Sequence, residues 1–304
     1  MNNKIYKIYN IYLPISNKML FLNQSIIVNN AYLNLMSIYR NIFKTKLFAA
    51  PILYLKVSFQ TTKFSVRAMS TSDQAMPLKK QFEVLQEQYT ACDIADALLK
   101  LKVPGAGFLP DLRPAFASTS ASPDKITVAP VSTVVFAPKN STDLSNYPAA
   151  NIPSDKHWVD LTVPDSIVVI TQPEGQKNAV LGGIMALRAQ VLGAKGVIVS
   201  GRVRDLDELQ ATGIPIWSRG TSIVGAGGES KPHAIQVALK IDGTDVCPGD
   251  IAFCDPKNGV VIIPQGKIAD VISMLPGLVA ADDRVKEEVK QGMSVQEAFK
   301  KHRG

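Results

Sequence analysis

No aspartate or glutamate occurs before Asp73, and that absence splits the 304-residue chain into two kinds of sequence. The first 72 residues hold nine Lys or Arg and no acid. Beyond them, 24 basic side chains face 26 acidic ones, so the formal charge of +7 belongs to the leader and the remainder is net −2. A mildly acidic body excludes the broad basic surface that nucleic-acid binding requires. Long apolar runs are missing too. The best in the leader, Leu47–Leu55, is about half the roughly 18–20 residues of a membrane span, so no membrane partner is expected. Cysteine is scarce (Cys92, Cys247, Cys254) and forms no C-x-x-C pair, while His157, His233 and His302 lie far apart. A disulfide framework and a structural zinc cluster are thereby excluded, and a reducing compartment is expected.

What the leader does have is Asn, Ile, Tyr, Lys, Leu and Phe. A basic, acid-free, moderately apolar stretch is the composition of an organelle presequence, and Lys44–Ser72, with its Ser and Thr, fits best. The competing reading starts the functional chain at Met69 and treats the upstream segment as a non-native extension. The expected organisation is a leader over 1–68 and one body over 69–304, mitochondrial if the leader is a targeting segment and cytoplasmic otherwise.

In the body, Phe82, Leu85 and Tyr89 share one helical face, which predicts a helix over Leu78–Thr90. Thr90 and Asp93 form a Thr-x-x-Asp capping pair that opens a second helix over Ala91–Leu101. Short β-branched runs bounded by Gly, Pro, Asp and Ser follow: KITVAPVSTVVFAP, DSIVVITQP, KGVIVSG, IPIWSRG and AIQVALKI. Ile184–Leu192 reads as a helix between two of these strands. GDIAFCD and GVVIIPQ, separated by PKN, read as a hairpin, and Gln265–His302 as a charged helical tail. Strands mixed with helices in one stretch predict a single α/β domain.

The chemistry concentrates between Asn178 and Ser222. Gly182 and Gly183 precede a helix, where bare backbone and unpaired N–H groups form an anion site. The strand Lys195–Ser200 runs into Gly201-Arg202-Val203-Arg204-Asp205, at the strand end where α/β domains gather ligands. Arg204 can grip a carboxylate bidentately. Asp205 offers oxygen to a hard cation, Mg²⁺ or Mn²⁺. Together they are equipment for a 2-oxo acid, with the metal polarising the keto oxygen as a C–C bond breaks. A plainer reading is available: Glu208 lies three residues after Asp205, the spacing of a helix-capping box, and Arg204 would then be a solvated surface residue. GAGG at Gly225–Gly228 lacks the spacing of a dinucleotide loop. A Schiff-base mechanism would rest on Lys195, which opens a strand and is expected to be exposed.

GGIMALRAQVLGAKGVIVSGRVRDLDEL followed by GIPIWSRGTS resembles the RraA-like family. That family includes 4-hydroxy-4-methyl-2-oxoglutarate (HMG) aldolases with oxaloacetate decarboxylase activity, and a non-catalytic regulator of ribonuclease E. ACDIADALLKL, GFLPDLRP, VCPGDIAFCDPKNGVVIIP and SVQEAFKKH extend the likeness over the body. The resemblance implies a single-domain β/β/α swivelling fold like that of phosphohistidine domains. It also implies a homotrimer or homohexamer with sites at subunit interfaces. On its pattern, Gly182, Gly183, Ile184 and Met185 bind substrate through backbone amides. Arg204 takes the pyruvyl carboxylate, and Asp205 holds a divalent metal cation. One position departs: the aldolases carry Asp-x20-Arg-Asp, and Gly183 stands where the first Asp belongs. The family also draws a metal-shell Glu from a neighbouring subunit, with Asp282, Asp283, Glu287 and Glu288 as nearby tail acids. The implied activity is a metal-dependent pyruvate lyase. The alternative is a catalytically silent oligomer that binds a protein partner.

Overall fold

The computed structural model of the protein describes residues 7–15, 18–26, 76–117 and 125–303. The chain forms two compact units, Met1–Ser70 and Thr71–Gly304. In the first, β1 (Lys7–Ile15) pairs antiparallel with β2 (Lys18–Ile26), Lys7 opposite Ile26. The presequence-like stretch Lys44–Ser72 lies outside the described residues.

The second unit opens with α1 (Leu78–Gln88) and α2 (Ala91–Lys100). The Thr90 hydroxyl accepts from Asp93 N–H while the Asp93 carboxylate takes the Thr90 N–H at 2.8 Å, so the capping pair read from sequence forms. Then come β3 (Phe108–Leu109), β4 (Arg113–Pro114), the long β5 (Thr127–Pro138), β6 (Ile167–Thr171), β7 (Ala179–Leu181), α3 (Gly183–Val191), β8 (Gly196–Val203), α4 (Leu206–Ala211) and β9 (Ile216–Thr221). β10 (Ser230–Ile235), β11 (Leu239–Ile241), β12 (Thr244–Val246), β13 (Ile251–Asp255), β14 (Gly259–Ile263), α5 (Ile268–Lys290) and α6 (Val295–His302) complete it.

One mixed sheet runs β3-β14-β13-β5-β6-β8-β9-β4, with β10 added on β5 and β7 on β8. β5, β6, β8 and β9 are mutually parallel. Covered on both faces, the middle strands are continuous apolar runs, as in IVVIT of β6, whose first four residues are buried. β5 serves two neighbourhoods: residues 127–130 pair antiparallel with β13, and 131–135 pair parallel with β6. α1, α2 and α5 cover the β13–β14 hairpin through Leu85, Ile94, Leu98, Val271 and Leu275. α3 and α4 cover the parallel strands through Ala186, Ala189 and Leu209.

One expectation needs correction. AIQVALKI is not one strand: β10 ends at Ile235 because Gln236 turns to φ 53°, and Leu239 starts the separate β11. The charged tail is helical as expected, in two segments broken at Gly292 (φ 96°) and restarted by Ser294, whose hydroxyl accepts the Glu297 N–H. The remaining strands, the α3 helix and the hairpin fall where the sequence places them.

Candidate active site

Sheet pairing builds the site. β7 runs parallel to β8 with Leu181 opposite Val203, so both chains leave the sheet at the same place. The N–H of Arg204 donates to the Leu181 carbonyl at 3.0 Å, locking the two exits side by side. The start of α3 and the Arg204-Asp205 pair therefore share one corner. Gly182 has extended backbone that any residue adopts, but a Cβ there would stand 2.7 Å from Asp205 Oδ2 and 3.3 Å from Arg204 Nε. Its lack of a side chain is what lets the two exits close up.

Asp205 is the strained residue. Its backbone is left-handed (φ 62°, ψ 52°), a conformation that costs an ordinary L-residue about 1–2 kcal/mol and that collects at functional sites. Its carboxylate does not cap α4: Oδ2 receives Arg204 Nε at 3.3 Å and the Gly183 N–H of α3 at 3.4 Å. The capping-box reading is thereby overturned. α4 starts on the Asp205 carbonyl instead, which accepts the Leu209 N–H at 2.9 Å. Arg204 and Asp205 keep 44% and 38% of their side chains accessible, so both can reach a ligand.

Glu208 answers the missing carboxylate at position 183. A Cβ on Gly183 would overlap the Glu208 side chain and lie 2.7 Å from its Cδ. Glu208 thus fills the space into which an Asp at 183 would project, one helical turn after Asp205. Sequence reading treated Glu208 only as a capping partner. The signal that finds it is Arg-Asp-x-x-Glu read together with the glycine at 183, and its meaning needs the tertiary approach of α3 to α4.

A cavity of about 310 Å³ opens over this corner and brings together Gly182, Gly183, Ile184, Met185, Arg204 and Asp205. Its other side is Phe136, His157 and Trp158, with Pro232 and the loop at Ala226. His157 and Trp158 come from a 3-10 turn that packs on α3 and is tied to it by Arg188 Nε on Asp160 at 2.7 Å. No sequence pattern marks either residue.

Asp205 and Glu208 are the carboxylates that would hold a hard cation at this corner. Among the described residues no trio of His, Cys, Asp or Glu converges, but Mg²⁺ commonly takes one or two carboxylates and keeps its waters. Asp205 and Glu208, on either side of the bare Gly182-Gly183 backbone, are such a pair. The tail acids are engaged elsewhere. Asp282 pairs with Arg303, Glu288 with Lys301 and His302, Asp283 with Lys286, and Glu287 with Lys290. Lys195 is exposed and paired with Asp165 at 2.8 Å, outside the cavity, whereas an imine-forming lysine sits desolvated in an apolar pocket.

Comparison with known proteins agrees with this architecture. The protein DlpA of Legionella pneumophila is 27% identical over 177 residues, which cover 56% of this chain and 27% of DlpA. The 4-hydroxy-4-methyl-2-oxoglutarate aldolase of Thermus thermophilus is 33% identical over 89 residues, 29% of this chain and 53% of that enzyme. The chain thus spans between about a quarter and half the length of these relatives. Among solved structures, RraAS2 of Streptomyces coelicolor, a member of the RraA protein family, superposes with a TM-score of 0.53 at 21% identity, covering 73% of this chain and all of that one. The mixed-sheet β/β/α architecture expected from the resemblance is the one observed. Residues 91–262 match the RraA-like family, described as Aldolase/RraA, and the chain belongs to that family.

Proposed function

We propose that this protein is a divalent-metal-dependent lyase that releases pyruvate from small 2-oxo acids, by retro-aldol cleavage of substrates such as HMG, decarboxylation of oxaloacetate, or both. The observation that carries the reading is the Arg204-Asp205 corner: a left-handed aspartate that does not cap its own helix, a half-exposed arginine held to it by one 3.3 Å contact, and Glu208 in the space left by Gly183. A helix cap needs none of this geometry, and neither does a silent regulator that only binds a partner.

Arg204 binds the carboxylate of the 2-oxo acid through its guanidinium and fixes the keto group's direction. The bare backbone of Gly182 lets substrate approach closely. The first amides of α3, at Gly183, Ile184 and Met185, offer donors at the positive end of the helix. Asp205 and Glu208 would hold Mg²⁺ or Mn²⁺, which supplies positive charge where the keto oxygen gains electron density. Trp158 and Phe136 shield the far side from water. Assembly as a trimer or hexamer with sites between subunits, and mitochondrial import through residues 1–75, belong to the same proposal. Light scattering and a fluorescent fusion of the leader test them.

The direct test is pyruvate release from HMG and from oxaloacetate, with Mg²⁺ and then with excess EDTA. Pyruvate that disappears on chelation and returns with metal supports the reading. Undiminished turnover in EDTA, with substrate trapped on the protein by borohydride, rejects the metal in favour of a lysine imine.

A further inference from the structure

The cavity has two unlike ends, and the second end has no role in gripping the pyruvyl unit. Arg204 serves the substrate carboxylate. Beyond it the wall is Phe136, Trp158 and Met185, with Ile184 at the rim. Trp158 and Phe136 are 3% and 1% exposed and stand edge to face, centroids 5.9 Å apart, so this wall is rigid. His157 lies against Trp158 at 5.8 Å. Its Nδ1 accepts the Val159 N–H at 3.4 Å, so Nε2 is the ring nitrogen left for a ligand. Among the described residues, Arg204 and His157 are the only basic side chains that line the cavity. Lys139 approaches the same loop, but its ammonium bonds the Gly227 carbonyl at 2.6 Å and it does not line the space.

We infer that the site selects 2-oxo acids whose second arm is apolar and uncharged, such as a branched alkyl group at C4, over those with a second carboxylate. This deepens the proposed lyase reading and rests on it for turnover, though not for binding. An ionised second carboxylate would lose water against Trp158, Phe136 and Met185 with no cation to replace the lost hydration, a heavy penalty in an apolar setting. An isobutyl-sized arm buries apolar area there instead and gains from leaving water. His157 Nε2 offers one hydrogen-bonding position, enough to hold a C4 hydroxyl. HMG, which is dicarboxylic, is then cleaved more slowly than its monocarboxylic analogue, and oxaloacetate, whose second carboxylate is the leaving group, binds weakly.

Two measurements on the full chain with Mg²⁺ test this. In the first, calorimetry compares 4-methyl-2-oxopentanoate with 2-oxoglutarate, non-cleaved 2-oxo acids that differ in the arm. In the second, kcat/KM for pyruvate release compares 4-hydroxy-4-methyl-2-oxopentanoate with HMG, which has a carboxylate in place of one methyl. We expect at least tenfold preference for the apolar arm in both. Met185→Arg, which puts a cation on the wall, should shift each ratio at least tenfold toward the dicarboxylate, and 2-oxoglutarate binding should tighten in absolute terms. Equal or stronger binding of 2-oxoglutarate by the unmodified chain overturns the inference, whatever the turnover. Apolar-arm preference in binding with no pyruvate from any substrate upholds it and rejects the lyase reading. Preference for HMG in turnover leaves the lyase reading standing and sinks the inference.

Discussion

Asp205, two residues beyond β8, and Asp255, at the end of β13, have opposite surroundings. Asp255, at the end of β13, is 3% exposed, and its two oxygens receive four donors: Ala91 N at 3.1 Å, Lys257 N at 2.9 Å, Asn258 N at 3.3 Å and Asn258 Nδ2 at 2.7 Å. Burial pushes its pKa up, but these hydrogen bonds outweigh it and hold the carboxyl below the usual carboxylate range. Asp255 thereby closes the β13–β14 turn and pins the start of α2 to it. Asp205 has relaxed burial, a strained backbone and two contacts of 3.3 and 3.4 Å. A saturated carboxylate is a joint; an under-committed one in a costly conformation is held for something that arrives from outside.

The widest separation between the two should come from activity. Asp205→Asn keeps a side chain that tolerates left-handed backbone, so it removes the charge without adding strain. We expect kcat to fall at least about 10²-fold, as loss of a group stabilising transition-state charge does, with the melting temperature nearly unchanged. Arg204→Ala should cost roughly 30- to 1000-fold in kcat/KM, through KM and through lost alignment, the worth of a charge-assisted bidentate contact. If both variants retain native rates, the corner is not the active site.

Gly183→Asp sharpens the contrast from the other direction. The new Cβ collides with Glu208, so this nominal return to the family pattern should lower both activity and stability. Combining it with Glu208→Ser should recover kcat to within about tenfold, because one carboxylate replaces the other in the same space; ordinary catalytic deletions fall well beyond that. A double variant no better than Gly183→Asp would show that Glu208 is not the substitute.

Asp255→Ala should do the reverse of Asp205→Asn. Leaving several buried donors unpaired costs about 2–4 kcal/mol, a fall of roughly 5–15 °C in Tm for a body of this size, with kcat per folded molecule preserved. Because the folded-state pKa of Asp255 is depressed, its contribution is complete above about pH 4, the unfolded value, and is lost as pH drops through the lower folded value. The native protein should therefore lose more stability than Asp255→Ala as the pH falls below about 4; parallel losses would contradict the assignment. At the small end, Lys286→Ala removes an exposed i,i+3 pair with Asp283 and should change stability by less than about 0.5 kcal/mol, checked by urea midpoint.

Local signals were legible in the sequence. Thr90 and Asp93 form their capping pair because both partners lie within one turn. The PKN hairpin forms because β-branched runs flank it closely. Arg204-Asp205 could be placed at a strand end because the apolar run of β8 leads directly into it. The rest depended on approach in space. Glu208 acquires meaning only when α3 brings a bare glycine against it, and His157 and Trp158 reach the cavity only because their turn docks on α3. AIQVALKI misled because its apolar content matches a strand, while the break lies in the single positive φ of Gln236, which residue type does not announce.

β5 also bears on the order in which the body can assemble. Its partners are scattered downstream: β6 at 167–171, β10 at 230–235 and β13 at 251–254. While the chain emerges from the ribosome, the antiparallel start of this strand waits for a segment more than a hundred residues later. Its apolar edge stays open meanwhile, and such non-local pairing slows folding and exposes strands to association. Folding of the body is thus expected to complete only once the β13–β14 hairpin is free of the exit tunnel, and chaperone demand should peak just before that point.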